Sequence, residues 1–250
     1  MENMEHKNLH EQEKSNLFIG QQNLFDQIYK NGFQNYTQGL PSINEAFIEN
    51  HSMCCIDEGT PHGIHSAGSG ILRDKEEVLT SFRDAGVTEI TSHDGCGAAG
   101  LYAKSKGLDL SKSDEYAKEW SKEIAKELGV PYRHISSTEM SRPKGLHVSR
   151  VAYYDGTGKF DYSTTKELPA GFIISRAIQS IGTSISEATV SFNIATGDHG
   201  FGELINQKNP FMIVAIGKDQ EHLDKLLNEL NDVKGVMGDK VKIDGFIAPN

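Results

Sequence analysis

Two short strand patterns, separated by one amphipathic helix, constrain this chain more than any other feature. Residues 51–56 (HSMCCI) form a compact strand pattern ending at Asp57, and residues 87–92 (VTEITS) form a second. Between them lie a glycine-rich loop, EGTPHGIHSAGSG, and a helix. Asp74 fits the N-cap of that helix, with Glu77 three residues on. Val78, Leu79, Phe82 and Ala85 supply its buried stripe, and Gly86 ends it. A helical connection of this kind places two parallel strands close together in one sheet. The carboxyl ends of the strands then share an edge, where open α/β sheets hold their ligand sites.

The rest of the chain extends the pattern. Leu24, Phe25, Ile28 and Tyr29 predict a helix over about 22–31. A helix begins near Cys96 or Gly97, and another runs from about Ser111 to Leu128, with Ser111 and Asp114 fitting a capping box. Residues 131–136 read as a strand. Residues 148–154 and 159–163 read as a hairpin around Asp155-Gly156-Thr157-Gly158. An apolar helix is expected at about 170–182, and Val190, Phe192 and Ile194 alternate like a strand. Residues 210–217 and 240–248 read as strands flanking a helix with Leu223, Leu226, Leu227 and Leu230 on one face. Strands alternating with helices predict an α/β fold, one domain with a mostly parallel central sheet flanked by helices. Residues 1–22 are polar and are expected to be mobile or to lie on a neighbouring subunit; residues 23–250 form the domain.

Charge and cysteine content narrow the function classes. The formal net charge is −10 over 250 residues, which argues against a nucleic-acid partner. No apolar run is long enough for a membrane span, and the amino terminus lacks a secretory signal pattern. The expectation is a cytoplasmic protein without a membrane partner. The three cysteines are Cys54, Cys55 and Cys96. An odd number with two adjacent is a poor disulfide framework, which leaves metal binding, catalysis or core filling. Cys54 is expected to fill the core, since neighbours on a strand face opposite ways.

Two clusters then stand at the predicted strand ends: Cys55-Ile56-Asp57 and His93-Asp94-Gly95-Cys96-Gly97. Zinc favours thiolate sulfur and imidazole nitrogen, and catalytic zinc sites keep three protein ligands with one position open. Cys55, His93 and Cys96 would supply two sulfurs and one nitrogen to Zn2+. Cys96 opens a helix, whose N-terminal dipole favours a thiolate. Two thiolates donate more charge than histidines would, so a bound water should be less acidic and activity better above neutral pH.

Cys-x-Asp followed by His-x-x-Cys-Gly resembles the zinc signature of the β-class carbonic anhydrases. CCIDEGTPHGIHSAGSGIL, ITSHDGCGAAG and HVSRVAYYDGTGKFDY bring the sequence closer to a divergent branch, the limiting-CO2-inducible B/C family. The resemblance implies a β-carbonic-anhydrase-like fold. It implies zinc held by Cys55, His93 and Cys96, with metal-bound hydroxide attacking carbon dioxide to form bicarbonate. It also implies a homodimer with its active sites near the subunit interface. Asp57 matches the aspartate that orients the zinc water, or that binds zinc as a fourth ligand and shuts the site.

The sequence departs from that pattern at Gly59, where ordinary β-class enzymes carry the arginine that pairs with the aspartate. Arg73 or Arg150 could supply the guanidinium; we place Arg73 there, because it follows the glycine loop. Without a partner Asp57 would close the site, giving a non-catalytic zinc-binding homologue, a bicarbonate sensor or scaffold. Two further readings are a zinc hydrolase or hydratase for a larger substrate, enclosed by loops 59–70 and 197–203, and a thiol redox protein using Cys54 and Cys55. His62 and His65 could line the site mouth or relay protons, and His199 could approach the site from a later strand, whereas Tyr153 and Tyr154 are expected to pack.

Overall fold

The computed structural model describes residues 2–249, with side chains for all of them except residues 2–10, 232 and 236. The chain begins with helices α1 (Glu2–Asn31) and α2 (Phe33–Gln38). Strands β1 (Ser52–Cys54) and β2 (Ile64–His65), helix α3 (Lys75–Asp84) and strand β3 (Glu89–His93) follow. Next come α4 (Gly97–Lys106), α5 (Ser113–Leu128) and β4 (Tyr132–Ile135). The second half holds β5 (Val151–Asp155), β6 (Phe172–Ile174), α6 (Ile181–Thr196), β7 (Phe211–Gly217), α7 (Gln220–Met237) and β8 (Val241–Ile247).

The expected parallel α/β architecture is present, and all strand pairs within its sheets are parallel. It is divided into two four-stranded sheets, in the orders β2-β1-β3-β4 and β6-β5-β7-β8. Backbone bonds join the β1–β2 region to β6 and the turn after it: Ile173 N–H donates to the Ile56 carbonyl at 3.2 Å, and Ser175 N–H to the His65 carbonyl at 3.1 Å. β1 leaves its ladder after Cys54, so the sheet divides where Cys55, Ile56 and Asp57 enter the site.

Four expectations are corrected. The hairpin at 148–163 does not form. β5 is buried along its whole length and pairs in parallel with β6 and β7, the environment of a central strand in an α/β sheet. Asp155 instead closes a turn, accepting from the Thr157 N–H and hydroxyl. The apolar segment at 170–182 holds strand β6, and the helix starts afterwards, with Ser180 accepting from Thr183 N–H as its N-cap. Val190, Phe192 and Ile194 lie on α6, not on a strand. Apart from Glu187, the face that α6 buries is carried by small residues, Ser184, Ala188, Ser191 and Ala195 at helical spacing, so the alternating large residues were misleading. Finally, Ser111 and Asp114 form no capping box: Asp109 accepts from Ser111 N–H, and Asp114 reaches elsewhere.

Helix α1 also starts far before residue 22. Its Phe25 and Ile28 are fully buried and Phe18 nearly so, each worth about 1.5–3 kcal/mol relative to exposure. Beneath it sits Arg150, fully buried, with its guanidinium 4.0 Å from the Phe18 ring centre and 4.2 Å from that of Phe25. Gln22 and Tyr29 accept its hydrogen bonds. Arg150 is therefore committed to docking α1. Among the described residues, no helix is long and apolar enough to cross a membrane.

Candidate metal centre

Strand β3 ends at His93, a left-handed Gly95 (φ +69°) turns the chain, and Cys96 caps α4. Asp114 accepts from Gly95 N–H at 2.9 Å, which ties this turn to α5. On the neighbouring strand the chain passes from Cys54 to Cys55 and Asp57. The topology thus brings together the residues expected from sequence. One donor atom each from Cys55, His93 and Cys96 lie within 4.8 Å of one another, and all three residues are buried. Zinc bond lengths of about 2.3 Å to sulfur and 2.0 Å to nitrogen put tetrahedral donors ~3.6–3.8 Å apart, so this spacing suits a metal ion.

The hydrogen bonding around the cluster fits the same purpose. His93 Nδ1 donates to the Asp94 carbonyl at 2.9 Å. A carbonyl can only accept, so Nδ1 carries the hydrogen and Nε2 keeps its lone pair in the neutral ring. Nε2 is buried and has no hydrogen-bond partner, a costly state unless something binds it. Gly68 N–H donates to Cys55 Sγ at 3.1 Å. Gly68 has φ +55°, and a Cβ there would stand 2.7 Å from Ile71 Cγ2, so the loop needs glycine at this point. The Cys96 hydrogen bond and then His93 hold the Cys55 thiol well below its ordinary range. The same bond and burial push Cys96 well up. Burial opposes the His93 imidazolium, but the Cys55 thiolate outweighs it and the group is pushed up to about 9. The Cys55 thiolate and the His93 imidazolium thus favour each other without a metal, and an ion that takes Nε2 would have to displace the His93 proton. Cys54, by contrast, faces the core, and burial pushes its thiol up to about 12.

Asp57 is also at the site, and its partner was missed. Arg142 Nε donates to Asp57 Oδ1 at 2.7 Å, and Nη2 to Oδ2 at 2.9 Å. Gly59 N–H adds a third bond at 3.0 Å. Burial opposes the Asp57 charge, but His93 and then Arg142 hold the carboxyl well below the usual range. Arg73, placed here from sequence, turns instead to Glu77 and Ser81, each at 2.9 Å. Arg142 lies in the loop after β4, 85 residues from Asp57, and no local spacing could have marked it. The structure does explain Gly59: a Cβ there would stand 2.7 Å from Arg142 Cγ and 3.0 Å from Met140 Cε. Glycine clears the path along which the distant arginine reaches in.

A cavity of about 700 Å³ opens beside the cluster, lined by Asp94, Gly97, Arg142, His147, Ile194 and His199 among others. His199 therefore lies on the wall of this cavity, in line with the approach expected from its sequence position. His62 and His65 do not line it; both face Asp161, at 2.8 and 3.7 Å. Tyr153 and Tyr154 are buried packing residues. His147 and Glu58, which the sequence reading passed over, stand next to Asp57: one donor atom from each of the three lie within 4.8 Å of one another. The signal available in sequence was Glu58 directly beside Asp57.

No family model, curated protein or solved structure matches this chain.

Proposed function

We propose that this protein holds zinc through Cys55, His93 and Cys96 and catalyses the reversible hydration of carbon dioxide to bicarbonate. The observation that carries the reading is the Asp57–Arg142 pair beside a three-donor cluster. With both oxygens gripped by the guanidinium, Asp57 is kept from serving as a fourth ligand, and one coordination position is left for water. A zinc ion in such a site supplies Lewis acidity, which makes a water nucleophilic near neutral pH. The chain's own residues do the rest. Asp57, an acceptor only, orients a water by taking its hydrogen bond. Asp94 sets the His93 ring, and Gly68 sets Cys55. Arg142 lines the cavity through which carbon dioxide enters and bicarbonate leaves.

The alternative is the closed, non-catalytic homologue, in which Asp57 would have to abandon both bonds to Arg142. The size of the cavity supports one further reading, a zinc hydrolase or hydratase for a larger substrate, since about 700 Å³ is within the range of small-molecule sites. Stopped-flow carbon dioxide hydration by the zinc-loaded protein between pH 7 and 9, with Cys55→Ser as the blank, tests the proposal. Turnover that rises with pH and vanishes in the variant supports it. Absence of turnover at every pH, with zinc bound, overturns it in favour of the closed site or the larger substrate.

A further inference from the structure

Hydration of carbon dioxide releases one proton per bicarbonate formed, and the buried cluster needs a route for it. Asp57 is a poor carrier, because Arg142 and Gly59 hold it as a carboxylate. The free nitrogen of His93 is a metal donor. Two imidazoles line the cavity, those of His147 and His199, and His147 is the one backed by a carboxylate.

His147 Nδ1 donates to Glu58 Oε2 at 2.9 Å, and Glu58 Oε1 accepts Val148 N–H at 2.9 Å. A carboxylate only accepts, so the hydrogen sits on Nδ1 and Nε2 carries the lone pair of the neutral ring. The Phe172 ring stacks on the imidazole, with centres 5.9 Å apart, and His147 N–H is anchored on the His199 carbonyl at 2.7 Å. The His147 side chain is 13% exposed and that of Glu58 0%. The dyad therefore spans from the buried interior to the cavity wall.

We infer that His147, held and backed by Glu58, carries the proton of the hydration reaction from the Asp57 side of the site to the cavity solvent. This inference rests on the carbon dioxide reading above. In the step, an O–H bond of the attacking water breaks and its oxygen bonds the carbon of carbon dioxide. The proton passes through cavity water to His147 Nε2. The new N–H bond then breaks in favour of a solvent base, and nothing is oxidised or reduced. The charged groups facing His147 are Glu58 and Asp57 from the segment after β1 and Arg142 from the loop after β4. Burial disfavours the imidazolium and Arg142 opposes it, but Glu58 and then Asp57 outweigh both, so His147 is raised above its ordinary value. Glu58 itself is raised by its burial and by Asp57.

Oxygen-18 exchange between carbon dioxide and water, run on the zinc-loaded protein, separates interconversion from proton-limited label release. His147→Gln keeps a donor for Glu58 but cannot accept the proton. Label release should fall about a hundredfold, with interconversion changed less than about twofold, and free imidazole should restore release. A second readout needs no turnover. The nitrogen-15 NMR titration of His147 in the metal-free protein should shift down by about one pH unit in Glu58→Gln. Unchanged label release in His147→Gln with normal interconversion overturns the inference. So does a His147 titration that ignores Glu58→Gln. No interconversion in the wild type overturns the hydration reading instead, while the NMR readout still judges the dyad.

Discussion

Arg142 grips both oxygens of Asp57 with bonds of 2.7 and 2.9 Å, and both side chains are over nine-tenths buried. In the proposed function, the pair decides whether Asp57 is free to close the candidate metal site. Removing one member of a buried pair strands the other charge, at a cost of about 3–5 kcal/mol. Arg142→Ala should therefore lower unfolding stability by several kcal/mol and free Asp57 to approach the metal. Zinc content should be unchanged, X-ray absorption should show an added oxygen ligand, and kcat/KM for hydration should fall about a hundredfold. An unaltered first shell with full activity would remove the Asp57–Arg142 pair from the account.

Gly59→Ala tests the path of the arginine. The added methyl would meet Arg142 Cγ in mid-stem at 2.7 Å, so the guanidinium must shift to make room. The Gly59 N–H bond to Asp57 can persist. We expect a milder version of the Arg142→Ala result, about a tenfold loss of kcat/KM, with a changed Arg142 Nε nitrogen-15 shift. A wild-type spectrum would mean that the methyl is absorbed elsewhere.

Cys96→Ser and His93→Ala should each abolish stable zinc retention. The check is metal content after dialysis against a chelator. Stoichiometric zinc in either variant would identify another residue as the ligand.

Glu187 on α6 gives a pH signature. Its buried carboxyl accepts from Ala67 N–H and Gln179 at 2.6 Å and from the Ser66 hydroxyl at 2.8 Å. Desolvation outweighs these bonds and pushes the group up to about 7, from 4.5. Between those values the folded state keeps a proton that the unfolded state has lost. The contribution of Glu187 is thus fully present below about pH 4.5 and is lost as pH rises through about 7, on the order of 3 kcal/mol. Glu187→Gln cannot titrate, so its stability relative to wild type should improve by that order between pH 4.5 and 7.5 in urea unfolding. A gap that does not change with pH would mean that Glu187 ionises at its ordinary value.

Much of this was legible in the chain because it is local. The Asp74 cap, the turn at Gly86, the buried 211–217 strand and the leucine face of α7 are each written within one element. The candidate metal donors were legible too, because helical connection of parallel strands follows a rule that brings Cys55 and His93 to one edge. Residues 170–196 misled because α6 packs through serines and alanines, whose size and polarity hide the helical period.

Tertiary structure alone could choose between Arg73, Arg150 and Arg142. Arg73 is near in sequence but bonds Glu77, and Arg150 is taken by Phe18 and Phe25 of α1. Arg142 wins because the loop after β4 passes over Gly59, where a missing side chain leaves room for its stem. Spacing along a chain encodes which residues share a helix face or a strand end. Which long side chain from a distant loop reaches a buried carboxylate depends on how loops cross in space, and no sequence period records that.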